Sequence, residues 1–242
     1  MKFPTKLEMA KEFRISTAEQ RSPKWYQERA GLPSSSGLGF LFDTLKDGFT
    51  PSAKAKKYLK QLAFERKFGV TFERFQTKPM ADGVFFEDFA KMVYQKDTGN
   101  VLSEAFSYVS SWFVSTPDAN VLEGKKKGLL ECKIVGDETF MSLMEEGIPI
   151  DHELQTQSQL MASGYDWVDY IVVNLKTRNY FIVRVKRNNR LIQRIYERLH
   201  EPLDLPELKD IGVKQFDENL LHDFMGEHHI EQEPTIIENL PF

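Results

Sequence analysis

At 242 residues, 41% of them hydrophobic and including 19 Phe, 8 Tyr and 3 Trp, the chain excludes intrinsic disorder and is expected to fold as one large domain. No apolar run approaches the roughly 20 residues a membrane helix needs, the charged stretch Met1 to Glu12 lacks an apolar signal core, and the one cysteine, Cys132, permits neither an internal disulfide nor a thiolate-rich zinc site; a soluble, non-secreted, cytoplasmic protein without membrane contact is expected. The net charge of −4 hides an uneven distribution: residues 201 to 242 carry 11 acidic side chains against Lys209 and Lys214, whereas residues 1 to 200 carry 30 basic against 25 acidic ones.

The first 100 residues read as helical. Ser22 followed by Pro23 has the form of an N-cap with proline at the first helical position, in a helix closed by Gly31 and Pro33. Ser34 to Ser36 offer a further cap. Ser52 opens a long helix through Tyr58, Leu59, Leu62, Ala63 and Phe68 that stops at Gly69. Asp82-Gly83 precedes another, with Phe86, Phe89, Ala90, Val93 and Tyr94 at helical spacing and Gly99 at its end.

From Val101 the period changes to short β-branched and aromatic runs separated by turn residues. Strands are predicted over Ser110 to Ser115, Ala119 to Glu123 and Gly128 to Val135, the last two joined by a polar turn at Gly124 to Lys127. Helices follow over Asp137 to Glu146 and over Asp151 to Ser163, the latter capped by Asp151. Val168 to Leu175 and Tyr180 to Lys186 form a second hairpin, and a last helix runs from about Asn188 to His200. The predicted fold is α/β or α+β, a mixed central sheet flanked by helices with a helical N-terminal part. Residues 1–200 are expected as the domain, closed by Pro202 to Pro206, and residues 201–242 as an acidic extension with a peripheral helix around Phe216 to Phe224.

The chemistry concentrates between Ser115 and Lys133. In an extended strand Glu131 and Lys133 share one face while Leu130 and Cys132 take the other, and the hairpin brings Asp118 beside them. Two carboxylates from adjacent strands supply hard oxygen ligands for Mg²⁺ or Mn²⁺, with the Cys132 backbone carbonyl as a further ligand. Such an ion assists phosphodiester hydrolysis. Lys133 serves there either as an ammonium that stabilises developing negative charge or, neutral, as a proton acceptor. Read alone, the same residues also fit a turn acid after Pro117 and an exposed strand pair. The Cys132 side chain reads as packing. No phosphate-loop motif for ATP is present, since Gly37-Leu38-Gly39 lacks the third glycine.

At these residues the chain resembles the PD-(D/E)XK nucleases, and within them the lambda-exonuclease type, the YqaJ-type viral recombinases. The resemblance rests on Trp25, Arg29, Gly31 and Ser36, on Gly83, Glu87 and Ala90, on Thr116-Pro117-Asp118, on Glu131-Cys132-Lys133 and on Gln155-Thr156-Gln157, and it spans roughly residues 20 to 200. It implies a restriction-endonuclease-like fold and a Mg²⁺-dependent exonuclease that digests one strand of duplex DNA from its 5′ end, leaving 3′ single strands for recombination by single-strand annealing. It implies that Asp118, Glu131 and Glu87 bind metal, that Lys133 and Gln155 position the attacking water, and that Arg29 and Ser36 hold a DNA 5′ phosphate. A ring-shaped homotrimer, a single-strand annealing partner and the cytoplasm of a bacterial host are implied likewise. Gln155 and Gln157, two apart, do not share a helix face, so only one of them is expected to act. An endonuclease or an enzyme of other polarity on the same fold, and an inactive DNA-binding protein, are the competing readings.

Overall fold

The computed structural model describes residues 3–71, 78–209 and 214, with the side chains of 78–85 excepted. The chain divides into two compact units, Met1–Phe72 with Gln76–Pro206, and Glu73–Phe75 with Glu207–Phe242. The architecture below is that of the first; the helix expected around Phe216 to Phe224 lies outside the described residues.

Chain order begins with α1 (Lys6–Lys11), β1 (Arg14–Ser16), α2 (Pro23–Arg29), a 3-10 turn (Ser35–Gly37), α3 (Leu38–Phe42), α4 (Ala53–Phe68) and α5 (Lys78–Thr98). Five short or medium strands follow: β2 (Val101–Glu104), β3 (Ser107–Val109), β4 (Val114–Ser115), β5 (Ala119–Glu123) and β6 (Lys126–Ile134). The remainder is α6 (Asp137–Glu146), α7 (Ile150–Ser163), β7 (Trp167–Asn174), β8 (Asn179–Lys186) and α8 (Asn189–His200). The local punctuation explains most of these limits. Ser22 and Ser52 accept the N–H of Trp25 and Ala55 as side-chain caps, and Gly69 ends α4 at φ 68°, a left-handed conformation open to glycine.

The main sheet has the order β2-β5-β6-β7-β8 and is mixed. β6 and β7 run parallel while the other pairs are antiparallel, and the crossover between them contains α6 and α7, as a parallel connection requires. β7 is buried along its whole length, the pattern of a strand covered on both faces. On one face, Ala90 and Tyr94 of α5 pack on Ala119, Val121, Leu130, Ile171 and Val173. On the other, Leu154, Leu160 and Met161 of α7 bind Leu129 and Val168 into a core shared with α1, α3, α4 and α8. On the α5 face Gly128 makes room for Trp167, because a Cβ on it would sit 2.4 Å from that ring. A second, antiparallel sheet, β1-β3-β4, stands beside the first in the chain's topology.

Four expectations are corrected. Ser110 to Ser115 is not a continuous strand: the Ser110 hydroxyl accepts the N–H of Trp112 (3.3 Å) and Phe113 (3.0 Å), turning the chain between β3 and β4. The helix expected after Asp82-Gly83 begins at Lys78, with Gly83 inside it. Asp151 is not the cap of α7: Pro149 occupies that position at φ −67°, and Asp151 lies in the first turn, where its charge favours the helix N-terminus. The N-terminal part is not wholly helical, since Arg14–Ser16 pairs with Ser107–Val109.

Candidate active site

The two-residue turn Gly124-Lys125, with Gly124 at φ 58°, joins β5 to β6 and sets Ala119 opposite Leu130. That register puts Asp118 just ahead of β5, where its N–H donates to the Leu130 carbonyl at 3.1 Å and its Oδ2 accepts the Cys132 N–H at 2.6 Å. The hairpin therefore brings the Asp118 carboxylate against the strand that carries Glu131 and Lys133. Glu131, only 3% exposed, projects towards α7. There its Oε1 accepts from Lys133 Nζ (2.7 Å) and Gln155 Nε2 (2.6 Å), and its Oε2 from Gln159 Nε2 (2.6 Å). Lys133 also donates to Gln155 Oε1 at 3.0 Å, closing a ring of hydrogen bonds.

α7 separates the two glutamines of the Gln-x-Gln motif by function of position. Gln155 faces Glu131, whereas Gln157 turns away, donating to the Lys186 carbonyl (2.8 Å) and accepting the Asn188 N–H (2.7 Å), so that it ties the end of β8 to the start of α8. Gln159 is the residue that sequence reasoning missed. Its i, i+4 spacing from Gln155 was the available signal. Its Oε1 is buried with no hydrogen-bond partner among the described residues.

Glu87 arrives from α5, on the opposite face of the sheet from α7. Its Oε1 accepts from Lys91 Nζ at 2.6 Å, and Arg21 stands 3.8 Å from its Oε2. Lys91, one helical turn on, was also not anticipated. The electrostatics link the two faces. Burial raises the Asp118 carboxyl well above its ordinary value, and Glu131 and Glu87 add to the rise. Burial alone would depress Lys133, but Glu131 overrides it and the ammonium holds its proton more firmly than usual. The geometry thus favours the cationic form of Lys133. Burial pushes the Cys132 thiol up, and its side chain packs against the core beneath α5, as expected of a packing residue. Burial and Lys133 lower His152, whose Nδ1 lies 2.7 Å from the Tyr170 hydroxyl on the far side of Glu131.

Arg29 and the turn that carries Ser36 are anchored separately, at Thr116 and at β4. Arg29 lies 4.1 Å over the Trp25 ring and donates to Thr116 Oγ1 at 3.0 Å, two residues before Asp118. Glu28, its neighbour in sequence, is bound instead by Arg14 and Ser16. Burial pulls the Arg29 guanidinium down to about 10, which leaves it charged at neutral pH. The Ser34–Gly37 turn is fixed by Ser35 Oγ to Ser115 Oγ (2.8 Å) and by a bridge between Ser34 and Val114; exposed Ser36 contacts only Ser34 Oγ within it, at 3.4 Å. Gly31, at φ 70°, is needed for the approach of α4, because a Cβ there would meet Arg66 Cγ at 2.2 Å.

A divalent cation fits this donor set in part. Half-buried Asp118 and buried Glu131 crowd negative charge together, and the upward shift of Asp118 is the sign of a charge that a cation would relieve. Against this, no three His, Cys, Asp or Glu side chains among the described residues form a ready cage. Glu131 points to α7 while Glu87 comes from α5 on the other face, and each is engaged by an ammonium, Lys133 and Lys91.

The mixed sheet flanked by helices is the nuclease-like fold of the alkaline exonucleases. The solved structures agree. The alkaline exonuclease LHK-Exo from Laribacter hongkongensis superposes with a TM-score of 0.64 at 23% identity, over 74% of this chain and 89% of that one. The same enzyme in complex with dAMP gives a TM-score of 0.63, and a phage-related exonuclease from Haemophilus somnus 129PT gives 0.54 at 16% identity, over 69% and 90% of the two chains. Residues 24–166 match the YqaJ-like viral recombinase domain, and the chain belongs to that family. No protein of curated function matches the sequence. Among the described residues, no helix is long and apolar enough to cross a membrane.

Proposed function

We propose that this chain is a metal-dependent DNA exonuclease that degrades one strand of duplex DNA from a 5′ end and leaves 3′ single strands for annealing-type recombination. The observation that carries the reading is the bonded set Glu131, Lys133 and Gln155, with Asp118 bonded to the intervening Cys132 N–H, in a chain of the viral recombinase family whose fold is that of alkaline exonucleases. Asp118 and Glu131, with the Cys132 carbonyl, would hold Mg²⁺ or Mn²⁺, and Glu87 would join them by releasing Lys91. The ion, when bound, supplies Lewis-acid stabilisation of the phosphoryl oxygens. Gln155 and Gln159 hydrogen-bond the Glu131 carboxylate, and the Lys133 ammonium would stabilise charge on the phosphate. Arg29, stacked on Trp25, is the cation that would receive a terminal 5′ phosphate, with the Ser36 hydroxyl as a donor. A ring trimer acting with a single-strand annealing protein belongs to the same reading.

The test is digestion of blunt duplexes labelled on either strand, with a 5′ phosphate or a 5′ hydroxyl, in Mg²⁺ and in EDTA. The expected result is Mg²⁺-dependent loss of the 5′-phosphorylated strand. Equal digestion of both ends would remove Arg29 and Ser36 from the phosphate role and leave an endonuclease or another polarity. No cleavage in any divalent metal would reduce the chain to a DNA-binding protein. Sedimentation with and without DNA tests the trimer.

A further inference from the structure

The segment between α3 and α4 is a tightly bonded turn that displays an aromatic ring to solvent. Asp47 Oδ1 accepts the N–H of both Phe49 and Thr50 at 2.9 Å, and its Oδ2 accepts the Thr50 hydroxyl at 2.5 Å. Leu45 N–H donates to the Thr50 carbonyl at 2.8 Å, Thr44 bridges Pro51, and Ser52 closes the base by donating from its N–H to the Asp43 carbonyl and from its hydroxyl to Asp43 Oδ2. This bonding uses only the backbone of residue 49. Yet Phe49 is 89% exposed, the most exposed large hydrophobic among the described residues, with half-exposed Leu45 in the same turn. Nothing in the turn's own construction calls for an aromatic there.

The surroundings are cationic. Lys46 and, on α4, Lys54, Lys56, Lys57 and Lys60 are all exposed, and none forms an ion pair with an acid among the described residues. Lys56, Lys57 and Lys60 share one helix face by their spacing, while Tyr58, Leu59 and Leu62 of α4 are buried. Both acids of the turn are committed: Asp47 to its three hydrogen bonds and Asp43 to Ser52. The turn also follows directly from α3, whose Gly39 lies so close to Asp151 that a Cβ would stand 2.9 Å from the Asp151 Cβ, one helical turn ahead of Gln155. An exposed ring held on a fixed backbone, beside unpaired lysines, matches the way single strands are bound: bases stack on aromatics and phosphates meet cations.

We infer that Phe49 is a stacking platform for an unpaired nucleobase of a single-stranded or frayed DNA segment, with the α4 lysines holding the adjoining phosphates. This rests on the DNA-nuclease reading and extends it to a contact outside the reaction centre. The experiment measures anisotropy of fluorescein-labelled DNA in EDTA, so that no cleavage intervenes, using a blunt hairpin and the same hairpin with an unpaired tail. Phe49→Ala is expected to weaken the tailed DNA about tenfold and the blunt hairpin little, within the range of base–aromatic stacking. Phe49→Trp restores affinity, and its indole fluorescence is quenched by the tail. The triple change Lys56→Ala, Lys57→Ala, Lys60→Ala weakens both DNAs and lowers the salt slope by about two to three. If Phe49→Ala binds both DNAs as wild type does while Mg²⁺-dependent cleavage persists, the stacking role fails and the nuclease reading stands. If wild type binds neither DNA, both fall. If Phe49→Ala instead alters sedimentation at unchanged DNA affinity, the turn is a contact between copies of the chain and the inference is overturned.

Discussion

The sheet holds two aspartates in opposite ways. Asp169, 2% exposed, is surrounded by donors: Arg184 Nε and Nη2 at 2.8 and 2.9 Å, and the Tyr94 hydroxyl at 2.6 Å. Arg184 also forks onto Glu123 and lies 3.9 Å over the Trp167 ring. Half-buried Asp118 accepts the N–H of Cys132 and forms no ion pair among the described residues; of its electrostatic neighbours, Glu131 and Glu87 outweigh Lys133. The first carboxylate is built to hold the fold. The second has no cation bonded to it, and its carboxyl is pushed up by burial and by Glu131 and Glu87, a crowding that a ligand of opposite sign would relieve.

The largest effect expected from this contrast is catalytic. Asp118→Asn should reduce DNA hydrolysis at least a thousandfold, of the order of a metal's contribution to phosphoryl chemistry, with circular dichroism unchanged. Asp169→Asn should leave turnover per folded molecule near wild type. An Asp118→Asn enzyme with more than a tenth of wild-type activity would break the contrast. Next comes stability. Arg184→Met strands Asp169 as a buried charge and should cost about 2 kcal/mol, below the figure for a fully buried pair because the Arg184 side chain is 36% exposed. Adding Asp169→Asn should recover part of that in a urea titration; additive losses would show that the pair does not act as one.

A smaller effect separates Gln159 from Gln157 on α7. Gln159→Leu removes the donor to Glu131 Oε2 and should raise the Mg²⁺ concentration for half-maximal activity about tenfold, the range of changes to groups that orient a metal ligand. Gln157→Leu unties β8 from α8 and should lower the unfolding midpoint while leaving the Mg²⁺ requirement alone. Equal Mg²⁺ requirements in the two variants would remove Gln159 from the site.

What could be read from sequence here was local. Ser22-Pro23, Ser52 with Gly69, and the β5–β6 turn are determined by neighbours in the chain, and their elements fell within a residue or two of expectation. The same locality aligned Glu131 with Lys133 and brought Asp118 to them. β1 escaped because three residues are too few to show a period, and Ser110 escaped because its turn depends on a hydroxyl that bonds back to the chain. The partners of the site were hidden for a different reason. That Arg29 meets Thr116, 87 residues away, and that Glu131 meets Gln159, 28 residues away, follows from packing of whole elements, which no spacing rule contains. The choice between Gln155 and Gln157 needed the phase of α7 against β6 and β8.

The smallest expected effect tests the cause of the contrast. A carboxyl whose pKa is higher in the folded than in the unfolded chain binds its proton more tightly when folded, so unfolding free energy falls as pH rises from the ordinary aspartate value, near 4, through the raised native one. Above that window the loss is constant. Asparagine carries no charge to penalise. In EDTA, Asp118→Asn and wild type should therefore melt together at about pH 4, and by pH 7 the variant should melt a few degrees higher, corresponding to about 1 kcal/mol in a chain of this size. Mg²⁺ should then raise the wild-type midpoint and not that of the variant, since a ligand stabilises only the state that binds it. An Asp118→Asn protein less stable than wild type at pH 7 in EDTA would mean that the Cys132 N–H bond outweighs the crowding of charge, and Asp118 would join Asp169 as a structural acid.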